Sequence, residues 1–129
     1  MHLTKSLLCV VVLTIGSGFL IPKVRAEVNR NGSLENTDKF CPHRAGRRED
    51  VYRIHLKAGV RYTINLESRY DNYLYLENSQ GRLLTSNDDG GNGANARIVY
   101  TPATSGIYQI VATSYSAGQT GPYTLKITP

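Results

Sequence analysis

Hydrolysis needs a nucleophile, a base and an acid that orients the base, and from Glu27 onward the base would have to be His43 or His55. His55 alternates with Tyr52, Ile54 and Leu56, which places it on the outward side of a strand. His43 follows Pro42 in an arginine-bearing loop, and neither histidine belongs to a G-x-S-x-G elbow or an H-E-x-x-H pair. A chain without catalysis is expected. Oxygen ligands are better represented: Asp88 and Asp89 stand with Asn87 and Asn92 in one short stretch, and Asp71 opens a strand that could approach them. Calcium would suit that chemistry, but three acids are thin coordination for an ion that takes about six to eight oxygens. Asn and Asp also hydrogen-bond the backbone of tight turns. The expectation is therefore that Asp71, Asp88 and Asp89 hold a loop together with no cofactor, calcium being the alternative. In that role, donors from the glycine-rich loop satisfy Asp71.

Nine tyrosines and no tryptophan raise the question of a binding face. Tyr52, Tyr62, Tyr100, Tyr108 and Tyr123 fall on the inward period of their strands, so core packing accounts for them. Tyr70 and Tyr115 lie in loops and are the two expected to touch a partner. Of the two cysteines, Cys9 lies in the leader described below, which leaves Cys41 without an intrachain partner. A half-buried thiol near Phe40 is expected, so the protein is a monomer, with a Cys41-linked dimer as the alternative. Asn31-Gly32-Ser33 spells a glycosylation sequon.

Lys5 leads into the apolar run Leu7 to Ile21, and Val24-Arg25-Ala26 follows with apolar or small residues at the two recognition positions. The run falls short of the ~20 mostly apolar residues of a membrane-spanning helix and carries glycines. Residues 1–26 therefore read as a signal peptide cleaved after Ala26, leaving no membrane insertion. An uncleaved anchor is the alternative, because Pro22, Lys23 and Arg25 end the run with basic charge. Removing Lys5, Lys23 and Arg25 lowers the formal net charge from +5 to +2. Most of the basicity thus belongs to targeting. A nucleic-acid surface would concentrate basic residues on one element, whereas the only dense cluster, Arg44, Arg47 and Arg48, sits beside Glu49 and Asp50 in a loop. It reads as a solvated loop, and nucleic acid is not an expected partner.

What positions these residues is a succession of short strands. Tyr52, Ile54 and Leu56 alternate with polar residues, as do Tyr62, Ile64 and Leu66, and Ala58-Gly59 between the two sets reads as a hairpin turn. From Asn72 to Glu77, Tyr73 and Tyr75 face one side and Leu74 and Leu76 the other, the pattern of a central strand covered on both faces. A short strand over 82–86, a glycine- and asparagine-rich loop over 87–95, and strands around Ile98, Ile110 and Leu125 complete the chain. About seven to eight short strands without a helical period argue an all-β protein. The expected architecture is an antiparallel β-sandwich, jelly-roll-like, in a single domain. The expected organisation is a signal peptide over 1–26, a segment over 27–49 with the first strand and the arginine-rich loop, and the sandwich domain over 32–129.

Four pieces in order carry a family likeness. They are the run from Asp50 to Gly59, then Asp71-Asn72-Tyr73-Leu74-Tyr75-Leu76, then Gly81 followed by Asn87-Asp88-Asp89-Gly90, and last Gly106-Ile107-Tyr108-Gln109-Ile110 with Gly121-Pro122-Tyr123-Thr124-Leu125. Together they resemble the bacterial pre-peptidase C-terminal domain, a β-sandwich at the ends of secreted proteases and in envelope proteins. The likeness spans about Gly32 to Ile127. It implies a non-catalytic accessory module, secreted or periplasmic or held in the cell envelope, whose collagen-binding relatives hold calcium and grip fibrous substrate. The chain departs from that pattern in carrying no peptidase domain. It also lacks the Glu-Pro-Asn start that supplies calcium ligands in those relatives, with only Glu27 and Asn29 in that region, so their metal site is not transferred.

The function expected is a binding or accessory module for an extracellular protein, polysaccharide or hydrolase. The alternative is a structural envelope protein without a specific ligand, with or without stabilisation by calcium.

Overall fold

The computed structural model describes residues 27–91 and 93–129, so the expected signal peptide over 1–26, with Cys9, and Asn92 lie outside the described residues. Eight strands form in chain order: β1 (Val28–Leu34), β2 (Glu49–Leu56), β3 (Tyr62–Ser68), β4 (Asn72–Asn78), β5 (Leu83–Asn87), β6 (Ala96–Tyr100), β7 (Gly106–Ser114) and β8 (Gly121–Thr128). Two four-stranded antiparallel sheets pack face to face, one ordered β1-β8-β3-β6 and the other β2-β7-β4-β5. No helix occurs among the described residues. The all-β sandwich read from the alternation is the fold observed.

β3, β4, β6, β7 and β8 place an apolar period on the inner side, whereas the two leucines of the edge strand β5 are exposed. Tyr62, Ile64 and Leu66 of β3, Tyr123, Leu125 and Ile127 of β8, and Ala96 and Ile98 of β6 face Leu56, Leu74, Leu76, Tyr108, Ile110 and Ala112 of the other sheet. Fully burying one such leucine or isoleucine contributes roughly 1.5–3 kcal/mol, so this layer dominates the stability. Of the five tyrosines expected inside, Tyr62, Tyr108 and Tyr123 are buried, and Tyr52 and Tyr100 pack half-buried against the same core. A close approach explains Gly32. A Cβ there would lie 2.4 Å from the Tyr123 hydroxyl and 2.7 Å from that of Tyr52, so only glycine lets β1 cross those phenols.

The hairpin expected across Ala58-Gly59 does not form. β2 pairs with β7, with Tyr52 opposite Ile110, whereas β3 pairs with β6 and β8 in the other sheet. The turn therefore carries the chain between layers. Two strands with one face in a common core show the same alternation whether they are neighbours or face each other, so periodicity could not separate these cases. β4 lies inside its sheet between β7 and β5, as its two-sided pattern required.

Candidate functional site

The outer face of the β2-β7-β4-β5 sheet is covered by the segment joining β1 to β2. Lys39 and Cys41 run alongside the start of β2: the Glu49 amide donates to the Lys39 carbonyl at 2.9 Å and the Cys41 amide to the Arg47 carbonyl at 2.7 Å. The segment forms a strap over Tyr73 and Tyr75, which explains tyrosines on the outward period of a strand. Cys41 packs on Tyr75 and Val111 and is 3% exposed, so the thiol is fully buried, not half-buried, while Phe40 points away at 57% exposure. Burial pushes the Cys41 thiol pKa up. A buried thiol with a raised pKa is a poor nucleophile and a poor partner for an intermolecular disulfide.

His43 pins the strap. Its Nε2 lies 2.6 Å from Oε2 of Glu77, which is buried on β4, and its ring sits 4.6 Å from that of Tyr75. Gln109 donates to the other Glu77 oxygen at 3.2 Å. Glu49 lies under the same strap, and burial, followed by the charge of Glu77, raises its pKa.

The arginine cluster read as a solvated loop is instead ordered against the protein. Arg47 donates from Nε and Nη2 to the Tyr115 carbonyl at 3.0 and 2.8 Å and from Nη1 to the Ala45 carbonyl at 2.6 Å, and Arg44 donates to the same Tyr115 carbonyl at 3.2 Å. The Arg44 guanidinium also lies 4.8 Å from the centre of the Tyr73 ring and 4.9 Å from that of Tyr115. Those two rings stack at 6.3 Å and 13°, so the cation bridges them from one side. Gly46 has φ of 76°, and its carbonyl accepts the Gly118 amide at 3.1 Å, closing the strap onto the β7–β8 turn. Arg48 lies 3.8 Å over the Phe40 ring and donates to the Asp38 carbonyl. Composition revealed the arginines, but only the closure of strap on turn reveals where they point.

The two tyrosines expected to touch a partner have different surroundings. Tyr115 is 42% exposed with one face free of the stack. Tyr70 packs against the core and donates its hydroxyl to the Gly121 carbonyl at 2.9 Å.

Asp71, Asp88 and Asp89 are close enough for their charges to interact. Burial first, then Asp89 and Asp88, raises the Asp71 pKa. Yet among the described residues the loop supplies Asp71 with no donor, and its Oδ1 is buried without a partner. The loop amides go elsewhere: Asn87 Oδ1 accepts from Asp89 and Gly90 at 2.9 and 2.8 Å, and the buried Asn72 accepts from Ala96 at 2.7 Å while donating to Ser68 and Asn95. Among the described residues, no group of three or more His, Cys, Asp or Glu is placed to hold a metal ion. Asn72 was missed as the organiser of this loop, although a polar residue on the inward period, two before Leu74, is a readable sign.

At the opposite edge, Tyr123 donates to Asp50 at 2.6 Å and hydrogen-bonds Tyr52. Burial is the main reason the Asp50 pKa is raised, with Asp38 adding to it.

The chain matches the bacterial pre-peptidase C-terminal domain over residues 48–114. Two solved structures share the fold. One is the pre-peptidase C-terminal domain of collagenase from Bacillus anthracis, at 17% identity and a TM-score of 0.55, covering 78% of this chain and 88% of that one. The other is PliG of Aeromonas hydrophila, a periplasmic inhibitor of g-type lysozyme, at 18% identity and a TM-score of 0.58, covering 85% and 91%. No curated protein matches the chain.

Proposed function

This chain belongs to the bacterial pre-peptidase C-terminal domain family, and we propose that it binds an extracellular protein through the corner built by Tyr115, Arg44 and Arg47. Like its family it is a non-catalytic accessory or binding β-sandwich of an exported bacterial protein. The observation that carries the proposal is an exposed tyrosine already locked by its neighbours. Tyr115 is held on one face by Arg44 and Tyr73 and offers the rest of its ring to solvent. An aromatic with its rotamer fixed before contact loses little entropy on binding, and Tyr and Arg are the residue types that dominate protein interfaces. Tyr70 enters only by bracing Gly121 at the start of β8. The exported form is taken to begin at Glu27, and Asp71, Asp88 and Asp89 to shape their loop without metal.

The fold is shared with a collagenase domain and with a lysozyme inhibitor, which supports a protein partner over a polysaccharide. The test is retention of the exported protein on insoluble fibrous protein and on insoluble polysaccharide. Retention on the protein matrix, weakened at least tenfold by Tyr115→Ala with an unchanged melting temperature, is the expected result. Retention on polysaccharide alone, or indifference to Tyr115→Ala, would remove this reading. The structural alternative, an envelope protein without a specific ligand, predicts retention on neither matrix; a Cys41-linked form of it would need a thiol that reaches another chain, and Cys41 is buried.

A further inference from the structure

We propose that Arg44 and Arg47 form a recognition site for a carboxylate on the protein partner, an Asp or Glu side chain or a chain terminus. The inference rests on the binding corner proposed above and names the chemistry it reads. Its starting point is a count of donors. Two guanidinium groups carry five N–H bonds each. Four of these ten donate to protein, three to the Tyr115 carbonyl and one to the Ala45 carbonyl. The other six make no hydrogen bond of good geometry to the described residues. The one on Arg44 Nε is buried and out of a partner's reach, and the Tyr75 hydroxyl lies beside Arg44, so the donors open to a partner are among the remaining terminal N–H bonds.

Charge leads the same way. The ion pairs among the described residues are His43 with Glu77 and Lys126 with Glu67, so no carboxylate neutralises either arginine. Both cations are nevertheless drawn to a single carbonyl oxygen, which brings like charges together. An arriving anion would relieve that repulsion and take the unused donors in the forked geometry that matches guanidinium to carboxylate. The site needs little rearrangement, because Arg44 is fixed by two rings and Arg47 by two carbonyls.

A sulfated polysaccharide offers anions too, but it presents them at intervals along a chain and calls for basic residues along a track. Here the two guanidinium groups converge on one point beside exposed Tyr115, while Arg48 is turned onto Phe40. One carboxylate with an apolar neighbour fits that arrangement better.

The test follows the arginine Nε–Hε signals of the ¹⁵N-labelled exported protein by NMR during titration with hexaglutamate, and in parallel with a heparin tetrasaccharide. Expected are saturable shifts at Arg44, Arg47 and the Tyr115 and Ser116 amides. Arg47→Gln should weaken hexaglutamate binding about tenfold, whereas Arg61→Gln, which removes an exposed charge elsewhere, should change it less than twofold. Equal weakening by both variants, shifts spread over all arginines, or no shift at all overturns the proposal. So does heparin moving these signals where hexaglutamate does not. If Tyr115→Ala abolishes retention on fibrous protein while hexaglutamate leaves Arg44 and Arg47 unmoved, this inference fails and the binding corner stands. If hexaglutamate binds as expected but retention ignores Tyr115→Ala, the carboxylate site stands and the binding corner fails.

Discussion

The two sheets expose very different outer faces. On β2-β7-β4-β5 the strap from Lys39 to Arg48 buries Tyr75 and Val111, and it brings His43, Arg44 and Arg47 onto the sheet. On β1-β8-β3-β6 no segment among the described residues forms a comparable strap. Asn65, Glu67, Thr124, Lys126 and Arg97 stand in polar rows, with Arg97 donating to Asn65 and Lys126 lying 3.8 Å from Glu67, both partly exposed. The covered face can fix side chains because it excludes water and offers backbone acceptors. The bare face leaves its side chains to solvent, which screens what they do. Rigid placement of charge, and therefore specific contact, is confined to one side of the sandwich.

The sharpest way to break this comparison is to truncate outward-facing strand residues on each face. Tyr75→Ala removes a buried ring from beneath the strap and is expected to cost about 3–5 kcal/mol in urea unfolding, the range for large aromatic truncations. Val99→Ala, at an outward position of β6 that is 46% exposed, should cost less than about 0.5 kcal/mol. Similar values for the two would show that the strap does not bury its sheet.

The partners of two carboxylates give the next contrast. His43→Ala leaves Glu77 buried with Gln109 as its remaining side-chain donor, and a loss of about 3 kcal/mol is expected from orphaning a buried charge. Lys126→Ala breaks an exposed pair and should change stability by less than about 0.5 kcal/mol. Loosening the strap should also speed modification of Cys41 by a thiol reagent in the native protein, and an unchanged rate in His43→Ala would mean that His43 does not hold the strap down.

A smaller effect concerns pH. Burial raises the Asp50 pKa from its ordinary 3.8, so the folded protein binds this proton more tightly than the unfolded chain does. Its contribution to stability is full below about pH 3.8 and is lost as pH rises through the folded value. Asp50→Asn keeps an acceptor for the Tyr123 hydroxyl. It should therefore be more stable than the wild type at pH 7 and match it near pH 3. A variant less stable at pH 7 would show that the Tyr123 bond needs the charge.

The smallest expected effect is that of calcium. Asp71 has a partnerless buried oxygen and two acidic neighbours, so Asp71→Asn should raise the melting temperature slightly. Added calcium should leave the wild-type value unchanged. A concentration-dependent rise that the triple alanine variant of Asp71, Asp88 and Asp89 abolishes would show a bound ion.

Much of this was legible in the chain. Alternation over Tyr62 to Leu66 and Tyr123 to Ile127 is enough to specify half-buried strands, and the doubly apolar Tyr73 to Leu76 required a cover on both sides. What covers the second side was not readable, because Phe40 to Arg48 has no period and its cover depends on a hydrogen bond between Gly46 and Gly118, 72 positions apart. The source of the loop's order was hidden for a related reason: Asn87 accepts the amides of Asp89 and Gly90 while Asn72 accepts that of Ala96, and composition does not say which acceptor captures which amide.

By itself the sequence determined the class of fold, the inward tyrosines and the family likeness, since each follows from local spacing that any pairing of the strands preserves. The tertiary structure alone decided that β2 and β3 belong to different sheets, that Cys41 is sealed, and that Arg44 and Arg47 converge on one carbonyl. Each of these depends on which distant segments meet, and a carbonyl such as that of Tyr115 has no side-chain chemistry to announce that it will gather two cations.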